Sequence, residues 1–280
     1  MSTYVLSRGR VRITCIDLVP RQTAELWLEE RDAWFEEMPA RPRRAARARI
    51  AHGNAGAVAK REEISGARAA LRTLIGAPAR ARRAFETGLE LERRGVRAAR
   101  PLALLEESRG RLARRTCLVL EYVEGLDLRE FILRSVEALG TGARIERLKR
   151  RLWSAVAAEV ARMHEAGARQ RDLKAPNIIV SDRPGGLRAT LIDLEGMTLL
   201  GGAPSRRLRA RDLGRLAASL RAMDVARAGV TVEDWRFLLA RYLEECRVKE
   251  PGDVDRLFDE TRRWADLKEA RNRRRGRVLR

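Results

Sequence analysis

Apolar and polar residues alternate through Val11, Ile13 and Cys15, the two-residue period of a strand with one buried face. Leu26, Trp27, Glu30 and Trp34 then follow at helical spacing. The next segment, ARARIAHGNAGAVAKRE, sets small and β-branched residues on either side of Gly53-Asn54-Ala55-Gly56. That pattern predicts a hairpin with Lys60 on its second strand. Past Pro78, Phe85 and Leu89 stand four apart in a helical segment that runs to Gly95, with Glu86 and Glu90 on a neighbouring face. RTCLVLEYVEG is a continuous apolar strand over Cys117–Leu120 that ends at Glu121, Tyr122, Val123 and a glycine, and a boundary between lobes 1–122 and 123–280 is expected there. Ile145, Leu148, Leu152, Val156, Val160 and Met163 recur every three or four residues, one long amphipathic helix stopped by Gly167. The period then changes. Residues 169–177 are polar, Ile178–Val180 is a short strand, Asp182-Arg183-Pro184-Gly185-Gly186 is a turn, and Leu191-Ile192 is a strand that meets Asp193. Helical stripes return at Leu213, Leu216 and Leu220, from Trp235 to Leu243, and from Val254 to Trp264. The class is α+β, a small mixed β/α lobe followed by a mostly helical one.

Composition narrows the chemistry. A chain of 280 residues buries a real core without disulfides. Its three cysteines, Cys15, Cys117 and Cys246, are odd in number and far apart, which fits neither a disulfide framework nor a zinc ribbon and points to a reducing compartment. No run approaches the roughly 20 apolar residues of a membrane span, and the N-terminus lacks a signal-type stretch, so a cytoplasmic location is expected. With His52 and His164 the only histidines, sites built on several imidazoles are excluded, and carboxylates and lysines must carry any chemistry.

The net charge of +20 makes the surface strongly cationic. Only five of the 59 basic residues are lysine, so the charge is arginine spread over nearly every segment. Runs such as 41–49 and 271–280 suit phosphates on nucleic acid or on an anionic membrane face. No RNP, zinc-finger or bZIP pattern accompanies them, and nucleic acid is not the expected partner.

AVAKR around Lys60, QRDLKAPN from Gln170 to Asn177, and LIDLEG around Asp193 occur in that order. Phosphoryl transfer from ATP needs a cation on the nucleotide phosphates, oxygen ligands for magnesium, and a carboxylate beside the attacking hydroxyl. Asp172, on a loop after a long helix, can accept the hydroxyl proton, and Lys174 projects toward the transferring group. Asn177 and Asp193 offer magnesium one neutral and one anionic oxygen across the hairpin. A lysine in AVAKR and another in DLKAPN, where lysine is so scarce, favour roles for a compact ammonium over a solvated strand residue.

MHEAGARQRDLKAPNIIV with LIDLEG resembles the catalytic loop and metal-binding segment of the protein-kinase-like superfamily. The segment ARARRAFETGLELERRGVRAARPLALLEE, the strand CLVLEYVEGLDLREFI and the helix RRLRARDLGRLAASL narrow the resemblance to the lipopolysaccharide core kinases of the Kdo/WaaP family, over about 47–220. The resemblance implies a two-lobed kinase-like fold, ATP and Mg2+, and transfer of the γ-phosphoryl group to a Kdo or heptose hydroxyl of lipopolysaccharide core or a related glycolipid. It implies that Lys60 binds the α and β phosphates, held by Glu86 or alternatively Glu90, and that Glu121 and Val123 offer backbone groups to adenine. Asp172 and Lys174 are then catalytic, Asn177 and Asp193 bind metal, and Asp212 buttresses the loop through its backbone N–H groups. His164 packs at its helix end, and His52 lies on the hairpin surface.

The chain departs from the kinase pattern in places. Gln170 replaces the usual loop histidine, and Glu195 stands where a glycine is usual, as a second acidic ligand or facing solvent. No G-x-G-x-x-G precedes Lys60, and the arginines at 43, 44, 47 and 49 stand as substitutes for that phosphate clamp. No APE-like insert separates Asp193 from the Asp212 helix, which disfavours a protein acceptor. A protein Ser/Thr or small-molecule kinase, and a non-catalytic basic module binding nucleic acid or membrane, are the alternatives. With a glycolipid acceptor, the arginine faces are expected to hold the protein peripherally at the inner face of the inner membrane.

Overall fold

Strand alternation and helical stripes translate into two compact units, residues 1–93 with 99–123, and residues 94–98 with 124–280. The structure, a computed structural model, describes residues 1–33, 46–50, 56–63, 80–109, 112–222, 229–246 and 253–274. Trp34, His52, Pro78, the arginines at 43 and 44, and the expected turn up to Ala55 lie outside these residues.

The first unit is built on a six-stranded antiparallel sheet in the order β1-β2-β5-β6-β4-β3. Its strands are β1 (Thr3–Arg8), β2 (Val11–Ile16), β3 (Ala46–Ile50), β4 (Ala57–Glu63), β5 (Pro101–Arg109) and β6 (Leu112–Glu121). On β2, Val11, Ile13 and Cys15 are buried and Arg12 is exposed, the alternation expected of a one-sided strand. Helix α1 (Arg21–Glu30) buries Ala24, Trp27 and Leu28, spaced i, i+3, i+4. Leu26, read in the sequence as part of that stripe, sits one position off it and is exposed. Helix α2 (Arg80–Arg93) buries Ala84, Phe85, Gly88 and Leu89. Register across the sheet sets Lys60 on β4 opposite Leu118 of β6 and Arg47 of β3.

In the second unit β7 (Leu126–Asp127) leads into helix α3 (Leu128–Leu139), whose Asp127 N-cap accepts the Glu130 N–H at 2.9 Å. Helix α4 (Ala143–Glu165) buries Ile145, Leu152, Val156, Val160 and Met163 of the predicted stripe, while Leu148 is only partly buried. The short strand β8 (Ala168–Gln170) pairs with β11 (Met197–Leu199), and β9 (Ile178–Arg183) pairs with β10 (Gly186–Leu191) and β7. Helices α5 (Arg206–Arg221), α6 (Val232–Glu245) and α7 (Asp253–Arg274) follow. Helix α6 lies on α4, tied by Lys149 Nζ to Asp234 Oδ2 at 2.8 Å, both side chains nearly buried.

Residues 94–98 join this unit through explicit bonds. Ala98 bridges Leu191 in parallel, and the Leu191 N–H donates to the Arg97 carbonyl at 2.9 Å. The Arg97 N–H donates to Glu159 Oε1 at 2.6 Å. Burial pushes the fully buried Glu159 carboxyl above its ordinary range, and Arg162 and Arg97 draw it back down.

Candidate active site

The loop between β8 and β9 gathers the polar residues singled out in the second unit. Asp172 and Lys174 lie on it, a 3₁₀ turn spans Ala175–Asn177, and β9–β10 returns the chain to Ile192 and Asp193. Lys174 Nζ donates to Asp172 Oδ2 at 2.8 Å, with both side chains close to half exposed. Asn177, 7% exposed, donates from Nδ2 to the Asp172 carbonyl at 2.9 Å, and its own carbonyl accepts the Ile192 N–H at 2.9 Å. Neighbouring strands thus bring Asn177 and Asp193 together. Ser219 on α5 accepts the Ala175 N–H at 3.0 Å and fixes the loop from the helical side.

Gln170 connects the two halves of this arrangement. Its Nε2 donates to the Asp193 carbonyl at 2.8 Å, and its Oε1 accepts the Asp172 N–H at 3.1 Å. The β8–β11 register sets Met197 opposite Gln170, and the Arg171 N–H donates to the Gly196 carbonyl at 2.9 Å. Asp193 has φ 72°, the only positive φ of a non-glycine residue among those described. The left-handed conformation is costly for most side chains and tolerated by aspartate and asparagine. Glu195 is partly buried on the turn Leu194–Gly196.

Beneath the loop lies a buried charged floor. Asp212, fully buried, accepts from Arg169 Nη2 at 2.6 Å, Arg169 Nε at 3.2 Å and Arg215 Nη1 at 2.8 Å. The bond expected from Asp212 to loop backbone N–H groups is replaced by this fork onto Arg169, because a guanidinium one residue before Gln170 satisfies both carboxylate oxygens. His164 is fully buried, with Nδ1 at 2.8 Å from the Tyr242 hydroxyl. Its Nε2 lies 3.8 Å from Asp212 Oδ2, beyond hydrogen-bond length, so burial outweighs the pull of Asp212 and lowers its pKa.

The first unit holds the other residues. Lys60 is 7% exposed on β4. Glu86 is exposed on α2, while Glu90 is half-buried there and accepts from Arg93 at 3.2 Å. The Glu121 N–H is taken by the Arg100 carbonyl at 2.9 Å, and its carboxylate accepts the Arg100 N–H at 3.2 Å. Val123 makes no backbone hydrogen bond among the described residues, so its N–H and C=O are open to a ligand. Cys117, opposite Arg61, is a buried thiol pushed up to about 12 by desolvation, so it is not a nucleophile.

Sequence reasoning missed the linking role of Gln170 and the Arg169 clasp on Asp212. For Gln170 the signal was its position in place of a histidine, and for Arg169 there was none in so arginine-rich a chain.

The donor set at Asn177 and Asp193 suits a hard divalent cation. With Nδ2 spent on Asp172, Asn177 Oδ1 makes no hydrogen bond among the described residues, and Asp193, next in the chain after the Ile192 N–H that Asn177 accepts, is partly exposed. Oxygen ligands of this kind match magnesium.

Comparison with known proteins identifies relatives. A family model described as "Lipopolysaccharide kinase (Kdo/WaaP) family" matches residues 27–242. The solved structure "WaaP in complex with acyl carrier protein" is similar at TM-score 0.61 and 21% identity, covering 90% of this chain and 97% of that one. "Crystal structure of BubR1 kinase domain" is similar at TM-score 0.49 and 12% identity, covering 95% of this chain and 84% of that one. No curated protein matches in sequence.

Proposed function

The chain belongs to the lipopolysaccharide kinase (Kdo/WaaP) family, a family of phosphotransferases acting on a sugar hydroxyl, and from that premise we propose how its residues divide the reaction. ATP is the donor, and the acceptor is a Kdo or heptose hydroxyl of lipopolysaccharide core or a related glycolipid. Asp172 accepts the proton of that hydroxyl as its oxygen bonds to the γ-phosphorus. The bond between the γ-phosphorus and the bridging oxygen breaks, and ADP leaves. Lys174, held at 2.8 Å from Asp172, keeps the carboxylate oriented and meets the charge of the transferring group.

Asn177 and Asp193 would hold the magnesium ion, which when bound neutralises phosphate charge. In the first unit Lys60 contacts the α and β phosphates. Glu86, exposed on α2, and Glu90, half-buried there beside Arg93, are its two candidate partners. The open backbone groups of Val123 and the carbonyl of Glu121 serve adenine.

The observation that carries this reading is the Gln170 link, which ties the backbone of Asp172 to that of Asp193 through one side chain. Transfer of label from [γ-32P]ATP to purified lipid A–core, dependent on Mg2+, tests it. Labelling of the glycolipid supports the reading. Labelling of added protein alone would overturn it.

A further inference from the structure

Helix α7 lies beyond the residues that the family model matches and packs along α5, the helix that holds the loop through Ser219. Its direction is parallel to α5. Arg206 meets Asp253 at 2.7 Å near both helix starts, Arg211 stacks over Trp264 at 5.2 Å, and Arg221 meets Asp266 at 2.7 Å. The helices approach closely at Gly214, where an added Cβ would lie 2.5 Å from Trp264 Cβ and 2.8 Å from the Thr261 carbonyl. No side chain fits between them there. On α5, Arg215 reaches Asp212, and Ser219 holds Ala175. The turn of α7 after the buried Ala265 therefore comes alongside the loop, and Lys268 lies within electrostatic reach of Asp172, Lys174, Arg215 and Arg271.

Lys268, Arg271 and Asn272 stand at i, i+3 and i+4, on one face of α7. Among the described residues neither Lys268 nor Arg271 forms an ion pair, and the nearby Asp266 and Glu269 both face Arg221. Asn272 is 8% exposed, and its buried Nδ2 has no hydrogen-bond partner. A buried amide donor is rarely left unpaired, so Asn272 Nδ2 is a donor available to an acceptor atom. Burial pushes the Lys268 ammonium below its ordinary range, Asp172 draws it up, and Arg215, Lys174 and Arg271 push it down again. The catalytic loop does not consume this charge. Asp172 has Lys174 at 2.8 Å, and Asp212 has Arg169 and Arg215.

We propose that this face of α7 binds an anionic group of the acceptor, a carboxylate or a phosphate ester. Lys268 and Arg271 supply charge, and Asn272 Nδ2 supplies a hydrogen bond, so that an acidic sugar presents its hydroxyl to Asp172. The inference rests on the kinase reading above and adds the acceptor chemistry that the site selects.

The test is calorimetric titration of the full chain with inorganic phosphate, with free Kdo and with Kdo methyl ester. Each is run in the presence of Mg2+ and a non-hydrolysable ATP analogue. Wild type is expected to bind phosphate or Kdo, with Lys268→Met and Asn272→Leu each weakening that binding about tenfold. Lys268→Arg should retain it, and the neutral ester should be insensitive to all three changes. A response to phosphate alone assigns a phosphate ester, and a response to Kdo alone assigns a carboxylate. In turnover, Lys268→Met should raise the acceptor KM with little change in kcat. Equal anion affinity in wild type and Lys268→Met, or no anion binding by wild type, would overturn the proposal. The titration needs no phosphoryl transfer, and nucleotide affinity with its loss in Asp193→Asn is measured separately, so the kinase reading can fail on its own.

Discussion

Gln170 and Gly196 are in close apposition. A methyl group built on Gly196 would collide with Gln170 Oε1 and stand 3.0 Å from its Cδ. Gly196→Ala must therefore displace the side chain that bonds both Asp193 and Asp172. The expected result is a loss of kcat on the order of 10²-fold with the fold retained, because geometry at the reacting centre is sensitive to shifts near 1 Å. Gln170→Ala should show a similar loss. Steady-state kinetics beside circular dichroism checks both, and unchanged kcat in either variant would contradict the linking role.

Asp212 and Arg169 form a pair in which the carboxylate is fully buried and the guanidinium-bearing residue is 8% exposed. Removing one partner strands the other charge. Asp212→Asn should lower unfolding stability by about 3–5 kcal/mol, read from urea titrations. Asp212→Leu with Arg169→Met together should recover part of that loss, since the stranded charge is then absent.

His164 gives a pH signature. Its imidazole is held below the ordinary value of 6.5 by burial, so just below that pH the unfolded chain binds the proton and the folded chain does not. The contribution to stability is complete above 6.5 and falls as pH drops toward the folded-state value. Urea midpoints at about pH 7.5 and about pH 5.5 should therefore differ more in wild type than in His164→Gln. Equal differences would contradict it.

No helix among the described residues is long and apolar enough to cross a membrane, and the net charge is +20. If the acceptor is embedded in an anionic leaflet, the arginine faces should bind anionic vesicles at low salt and release them as ionic strength rises. Flotation with anionic and zwitterionic vesicles checks this. Absence of binding at low salt would remove the membrane component.

Sequence legibility followed periodicity. Val11, Ile13 and Cys15, and the stripe from Ile145 to Met163, show their burial directly, because alternation and the 3.6-residue repeat encode which face is covered. The gathering of Asp172, Asn177 and Asp193 was legible because a short hairpin with a turn at Pro184-Gly185-Gly186 has few ways to return. The Gln170 link was not. It depends on the pairing of two three-residue strands, too short to carry alternation. The Arg169–Asp212 clasp spans 43 positions. With basic residues in nearly every segment, nothing marked that arginine out. Leu26 shows the converse error, an apolar residue beside a stripe but off its face.

The division of labour between Asp172 and Asp193 is the central claim, and one paired measurement tests it. Phosphoryl transfer to lipid A–core and Mg2+-nucleotide affinity are recorded for wild type, Asp172→Ala and Asp193→Asn. Asp172→Ala should lower turnover by about 10² to 10⁴ while keeping nucleotide affinity, as loss of a general base does. Asp193→Asn, which keeps the left-handed backbone, should weaken Mg2+-nucleotide binding. Wild-type turnover in both variants would contradict the account.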